Sequence, residues 1–224
     1  MIITIDGSVA TGKSTIAKKL AREIGFIYFD TGAMYRSLTY GILKHNISLN
    51  DVDALNAFLQ KIKFEIKVRH GERFYYIDGE DVTLQIRGQE VTSHVSAVAA
   101  IPAVRQKLVL MQREAAVGVN SVFEGRDLGT VVFPNAELKI FLTGRPEVRA
   151  VRRFEELRTK FPEEAANLTL DQVMADIMAR DHSDASREVS PLKQASGACV
   201  IDTSDLTTDE VVVKILEYKD ALKK

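Results

Sequence analysis

Much of what this chain lacks bounds what it can do. It has a single cysteine, Cys199, in 224 residues, which excludes an intrachain disulfide framework and fits a reducing cytosol. Cys199 sits in the apolar run Ala198-Cys199-Val200-Ile201 and is read as a small buried hydrophobe, not a nucleophile. There is no Cys/His cluster with zinc-ligand spacing. Charge of one sign is also missing: 30 Lys and Arg face 31 Asp and Glu, so no basic excess points to nucleic acid or an anionic membrane as partner. No apolar stretch approaches the length of a membrane span. The apolar start, Met1 to Ile5, lacks the basic flank and the length of a secretory leader, so a cytoplasmic location is expected. Low-complexity tracts and internal repeats are absent. The length suits one sizeable core with room for a small appended unit.

What is present begins with Gly7-Ser8-Val9-Ala10-Thr11-Gly12-Lys13-Ser14-Thr15. It fits G-x-x-x-x-G-K-[ST], the phosphate-loop pattern. The glycines permit a tight loop whose backbone N–H groups turn inward onto a phosphate chain. Lys13 would place a point charge near the β- and γ-phosphates of a bound nucleoside triphosphate, and the Ser14 hydroxyl would be a ligand for Mg²⁺. The context agrees. The β-branched run before the loop suits a buried parallel strand, and Ile16, Ala17, Leu20, Ala21 and Ile24 follow at helical spacing until Gly25.

Short apolar strands then alternate with helical segments. Strands are expected at Phe26 to Phe29, Ser121 to Glu124, Leu138 to Leu142 and Ala198 to Ile201. Helices are expected from Asp30 or Thr31 as cap, from Asp51 to about Ile62, from Pro146 to about Lys160, from Leu170 to about Asp181, and from about Thr208 to Leu222. A further helix from about Glu90 to Val117 should break at Pro102. Between about residues 60 and 90 the period changes to two. Phe64, Ile66 and Val68 alternate with charges, His70-Gly71 reads as a turn with a solvated His70, Phe74 to Ile77 as a partner strand, and Val82, Leu84 and Ile86 alternate again. The fold class is therefore α/β. It is a five-stranded parallel sheet with helices on both faces, carrying an inserted antiparallel β meander and a helical lid.

A phosphate loop alone does not say what becomes of the phosphate. No N-K-x-D element is present to read guanine, and the chain is short for a motor or transporter ATPase. Arginines at loop edges and helix starts (Arg36, Arg105, Arg126, Arg180 and Arg187) suit a second phosphate group, since guanidinium pairs bidentately with phosphate and keeps its charge. Arg126 follows a strand's carboxyl end, where open parallel sheets bind ligands. The helix bearing Arg149, Arg152, Arg153 and Arg158 fits a lid over the triphosphate, and equally a basic solvated face. Asp127 and Asp184 can accept from an amino group or from sugar hydroxyls. Together these favour phosphoryl transfer to a small phosphorylated acceptor.

Asp30-Thr31-Gly32-Ala33-Met34-Tyr35-Arg36, the segment Gly125 to Pro134 opening Gly-Arg-Asp-Leu-Gly-Thr, and Arg180-Asp181-His182-Ser183-Asp184-Ala185-Ser186-Arg187 resemble the bacterial cytidylate kinases, nucleoside monophosphate kinases of the P-loop class. The resemblance runs in order along nearly the whole chain, and Ser96 and Arg105 belong to it. It implies a single kinase domain over residues 1–224, a monophosphate-binding region at 31–105 enclosing the meander, and a lid at 145–168. It implies transfer from ATP, with Mg²⁺, to CMP or dCMP by a monomer. Thr31 and Asp184, with Arg180, would meet the sugar. Ser96, Arg105 and Asp127 would read cytosine, whose N4 amino group needs an acceptor. Arg36, Arg126 and Arg187 would clamp the acceptor phosphate, and Lys13, Arg126 and Arg153 would act on the transferred group. Two positions depart from the family: Ser8 stands where proline is usual, and Glu124 where aspartate is expected. A kinase for another acceptor, such as UMP or shikimate, and a non-catalytic nucleotide switch are the alternatives.

Overall fold

A computed structural model describes residues 1–69 and 72–222, together with the backbone alone at Glu72 and Glu164. The turn expected at His70-Gly71, and the solvated His70, lie outside the described residues. In chain order the elements are β1 (Ile2–Gly7), α1 (Lys13–Ile24), β2 (Ile27–Asp30), α2 (Thr31–Lys44), α3 (Val52–Lys61), β3 (Phe64–Arg69), β4 (Glu72–Ile77), β5 (Glu80–Asp81), α4 (Gln89–Ala100), α5 (Pro102–Ala115), β6 (Ser121–Gly125), β7 (Leu138–Thr143), α6 (Pro146–Lys160), α7 (Pro162–Ala165), α8 (Leu170–Ala185), β8 (Cys199–Asp202) and α9 (Thr208–Ala221). They group into two compact units, Met1–Phe29 with Ala116–Lys224, and Asp30–Ala115.

The first unit is built on a five-stranded sheet ordered β2-β6-β1-β7-β8. β1 lies at its centre, parallel to β6 on one side and β7 on the other. The centre is the most buried place in a sheet, and the burial of every β1 residue from Ile3 to Gly7 reflects that. Ile3 and Ile5 point to the face covered by α1 and α9, where they pack with Leu20, Val122, Ile140, Leu142 and Ile215. The alternate side chains Thr4 and Asp6 point to the other face and are equally buried. That second face carries a π-helical turn, Leu128–Val132, directly after β6. Cys199 opens the edge strand β8 and is only half-buried, contrary to a fully buried position, although it packs against the same core cluster.

The second unit packs α2, α4 and α5 around Met34, Leu38, Ile42, Val98, Val104 and Leu108, with the antiparallel sheet β3-β4-β5 contributing Tyr75 and Ile77. Pro102 supplies the first residue of α5, and Ile101 before it is extended, as the residue preceding a proline prefers. One expectation fails here. Val82, Leu84 and Ile86 do not form a third strand: β5 has two residues, and the chain then turns through a 3₁₀ segment, Gln85–Arg87. Strand geometry would bury all three residues on one face, whereas one helical turn keeps only i and i+4 together. Val82 and Ile86 are 0% exposed and Leu84 is 81% exposed, and the Ile86 N–H bonds to the Val82 carbonyl. A second correction concerns α8, which starts at a Thr169–Gln172 capping box and runs past Asp181 to Ala185. It therefore carries Arg180, Asp181 and Asp184 on one helix.

Candidate active site

In the first unit β1 delivers Gly7 at the carboxyl end of the sheet's central strand. Its φ of 154° and the Leu142 carbonyl oxygen, 2.2 Å from where a Cβ would sit, leave room for glycine alone. Gly12, at φ 85°, caps α1 without a side chain, so the helix's first N–H groups and its positive dipole end face the loop. Three successive loop carbonyls are drawn onto cations. The Gly7 oxygen accepts from Arg126 Nη1 at 3.1 Å, the Ser8 oxygen from Lys13 Nζ at 2.6 Å and Thr11 Oγ1 at 3.0 Å, and the Val9 oxygen from Arg149 Nη1 at 3.0 Å. Fixing the carbonyls fixes the peptide planes, and with them the direction of the N–H groups.

Lys13 is buried. Burial and the neighbouring Arg126 push its ammonium well below the usual lysine range, against the pull of Glu124 and Asp6. Glu124, at the end of β6, is 5% exposed, and its Oε1 accepts from the Tyr28 hydroxyl at 2.7 Å. Glu124 thus ties adjacent strands while standing beside Lys13. Ser14 is exposed at the start of α1.

Arg126 is held at a second point as well: its Nε donates to Asp184 Oδ2 at 2.7 Å. Asp184 is 1% exposed and also pairs with Arg187. Burial lowers the Arg126 pKa, with Glu124 foremost among the carboxylates opposing this. Arg180 lies within electrostatic reach of Lys13. Asp127 is buried at the head of the π-helical turn, which its carbonyl begins by accepting from the Val131 N–H. The structure therefore gathers Lys13, Arg126, Asp127, Arg180, Asp184 and Arg187 around the ends of β1 and β6. The four arginines of α6 diverge. Arg153 pairs with Glu156 at 2.8 Å, Arg152 binds the Thr203 carbonyl at 2.6 Å, Arg158 lies over the Phe154 ring, and Arg149 is buried against the loop.

In the second unit Asp30 caps α2, accepting from the Ala33 N–H at 2.8 Å with Oδ1, and pairs through Oδ2 with Arg36 Nη2 at 3.2 Å. Thr31 is buried at the first turn of α2. Arg105 is 2% exposed on α5; its Nη1 donates to the Ala99 carbonyl and its guanidinium lies over the Tyr35 ring. Ser96 is half-buried on α4. Burial raises the Tyr75 hydroxyl pKa, and Asp30 adds to the rise against Arg73, Arg36 and Arg87.

Two carboxylates were missed from the sequence. Asp6 is 3% exposed and accepts the N–H groups of Leu128 and Gly129 at 3.0 and 2.8 Å. Burial pushes its pKa up to about 6, against those two bonds and Lys13 and with help from Asp127. Its signal was a lone charge ending an apolar strand. Asp181 accepts the Val9 N–H at 3.0 Å and pairs with Arg149 at 2.5 Å; its only signal was its place beside Arg180.

Comparison with known proteins follows the same lines. The chain is 66% identical over 223 residues to a cytidylate kinase of Protochlamydia amoebophila (strain UWE25), covering 100% of this chain and 98% of that one. It is 46% identical to a cytidylate kinase of Ligilactobacillus salivarius (strain UCC118), over 96% of this chain and 94% of that one. Among solved structures, a shikimate kinase from Bacteroides thetaiotaomicron superposes with a TM-score of 0.50 at 14% identity, covering 98% of both chains. An uncharacterized protein from Eubacterium ventriosum gives a TM-score of 0.55 at 14% identity, over 99% of this chain and 98% of that one. At that identity the two structures speak to the fold alone. A family model described as cytidylate kinase matches residues 3–221, and with the relatives' full-length identity it shows that the chain belongs to the cytidylate kinase family.

Proposed function

We propose that this chain transfers the γ-phosphoryl group of ATP to CMP or dCMP, giving ADP and the corresponding diphosphate. The observation that carries the reading is the gathering of Lys13, Arg126, Asp184 and Arg187 beside a phosphate loop whose carbonyls are turned away onto cations. Phosphoryl transfer asks for positioning and charge neutralisation more than covalent help, and this unit supplies both. The loop N–H groups other than that of Val9, which is taken by Asp181, cradle the triphosphate with the start of α1, and Lys13 meets its β- and γ-oxygens. Arg126, aimed by Gly7 and Asp184, neutralises charge on the group in transit. Arg36 and Arg187 hold the acceptor phosphate, Thr31, Arg180 and Asp184 the sugar, and Ser96, Arg105 and Asp127 the cytosine. Arg153 reaches the transferred group only after releasing Glu156, which makes it a closing residue of the lid at 145–168.

Among the described residues, no group of three or more His, Cys, Asp or Glu side chains is placed to hold a metal by itself. The donor set fits instead an Mg²⁺ brought in by the nucleotide, which needs few protein oxygens. The exposed Ser14 hydroxyl would bind it directly, and Glu124, beside Lys13, would accept from its water shell. When bound, the ion neutralises charge on the β- and γ-phosphates. A coupled assay with ATP and Mg²⁺ against CMP, dCMP, UMP, AMP and shikimate tests the proposal. CDP and dCDP formation well above the rest is expected; preference for UMP, AMP or shikimate, or no transfer at all, refutes it.

A further inference from the structure

The Arg149–Asp181 pair does something that neither an ordinary surface ion pair nor a lid arginine would do. It takes both polar groups of one loop residue. Asp181 Oδ1 accepts the Val9 N–H at 3.0 Å, and Arg149 Nη1 donates to the Val9 carbonyl at 3.0 Å. The same Nη1 lies 2.5 Å from Asp181 Oδ2, and Arg149 Nε donates to the Gly144 carbonyl at 2.9 Å, just beyond β7. The guanidinium is therefore fixed at three points, and its side chain is 6% exposed. Apolar packing reinforces the grip. Val9 and Ala10 lie against Ala150, Val173 and Ile177 of α6 and α8. Ala10 is held there at a φ of 57°, in the left-handed region that L side chains rarely adopt.

We propose that Arg149 and Asp181 form a clamp that presets the phosphate loop for ATP, acting as positioning residues through Val9. The Val9 N–H points at a carboxylate and is not among the donors offered to phosphate. The clamp thus decides which N–H groups face the ligand. A lone carboxylate here would repel a triphosphate, and Arg149 cancels that charge while supplying the second half of the grip. The cost of ordering the loop is met on folding and not on binding, which is where preorganisation gains affinity.

The inference rests on Gly7–Thr15 being the ATP site, and its test separates the two. MgATP is titrated calorimetrically into the full chain, in the absence of CMP, for the parent, D181N and D181L. Asparagine keeps an oxygen for the Val9 N–H and leucine does not. D181L should bind MgATP about tenfold more weakly, the factor expected for losing one charge-assisted hydrogen bond. D181N should stay within about threefold of the parent, and CMP binding should be unchanged in both. Amide hydrogen exchange at Val9 should be slow in the parent and in D181N, and fast in D181L. Equal loss in both variants, MgATP binding by D181L as tight as in the parent, or fast Val9 exchange in the parent each overturns the clamp. Should D181L not fold, slow or fast exchange of the Val9 amide in the parent still decides the matter. Failure of the parent to bind MgATP would instead overturn the ATP reading, with Val9 exchange still testing the clamp.

Discussion

Replacing Asp6 by asparagine tests whether a buried carboxylate holds the segment that carries Arg126 and Asp127. Burial lifts the Asp6 pKa from 3.8 to about 6, so the folded chain holds this proton more tightly than the unfolded chain does. The sign is the reverse of a salt-bridged aspartate. The stability contribution is fully present below about pH 4 and is lost as pH rises through about 6. At about pH 5 the folded state has Asp6 protonated about ten times in eleven while the unfolded state is almost wholly ionised, an advantage of about tenfold, or about 1.4 kcal/mol, relative to about pH 7.5. Asp6→Asn cannot titrate. Its amide NH₂ must face either the Leu128 or the Gly129 N–H, which costs about 1–3 kcal/mol. Removing the buried charge recovers up to about 3 kcal/mol, so the variant should fold near neutral pH. Urea denaturation of both chains at the two pH values gives the stability gap, in which all other groups cancel. The gap should widen in favour of the parent by about 1.4 kcal/mol in acid. A gap that is constant, or that narrows in acid, refutes the raised pKa and the argument built on it.

Three further outcomes follow from the same geometry. Arg126→Ala should lower turnover by about a hundredfold or more while MgATP still binds; unchanged kcat in the coupled assay would remove Arg126 from the transfer step. Asp127→Ala should cut the preference for CMP over UMP by about tenfold or more, because the buried acceptor for an amino group is gone and the repulsion of the uracil carbonyl with it; an unaltered kcat/KM ratio would end its role in reading the base. Asp30→Ala should cost about 1 kcal/mol through loss of the α2 cap. It should also raise KM for CMP through release of Arg36, with MgATP affinity unchanged. A thermal melt and the two affinities check both halves.

The groups that meet nucleotide in the proposed function were largely legible because motifs carry them. Gly7 to Thr15 is local in sequence and functions through local geometry, and Asp30 capped α2 where a cap was expected. The parallel sheet followed from apolar runs that need burial on both faces. What misled was a short pattern that two geometries share. Val82, Leu84 and Ile86 fit a strand, and the exposure of Leu84 with the bond from the Ile86 N–H to the Val82 carbonyl shows a helical turn. The end of α8 was misplaced because the charged run after Ile177 conceals its continuation to Ala185.

The carboxylates that position the site were not legible, for a physical reason. Asp6 acts on Leu128 and Gly129, 122 and 123 positions away, and Asp181 acts on Val9 across 172. Each holds backbone, and backbone carries no residue-type signature for a sequence pattern to find. The departure at Ser8 belongs to the same account. A proline after Gly7 would stiffen the loop locally by fixing its own φ. In this chain Arg126, Lys13 with Thr11, and Arg149 hold the carbonyls of Gly7, Ser8 and Val9 in succession. The loop's rigidity is thus supplied from the residue after β6, from α1 and from α6, and a residue that leaves φ free at position 8 is tolerated because the peptide planes on either side are already fixed.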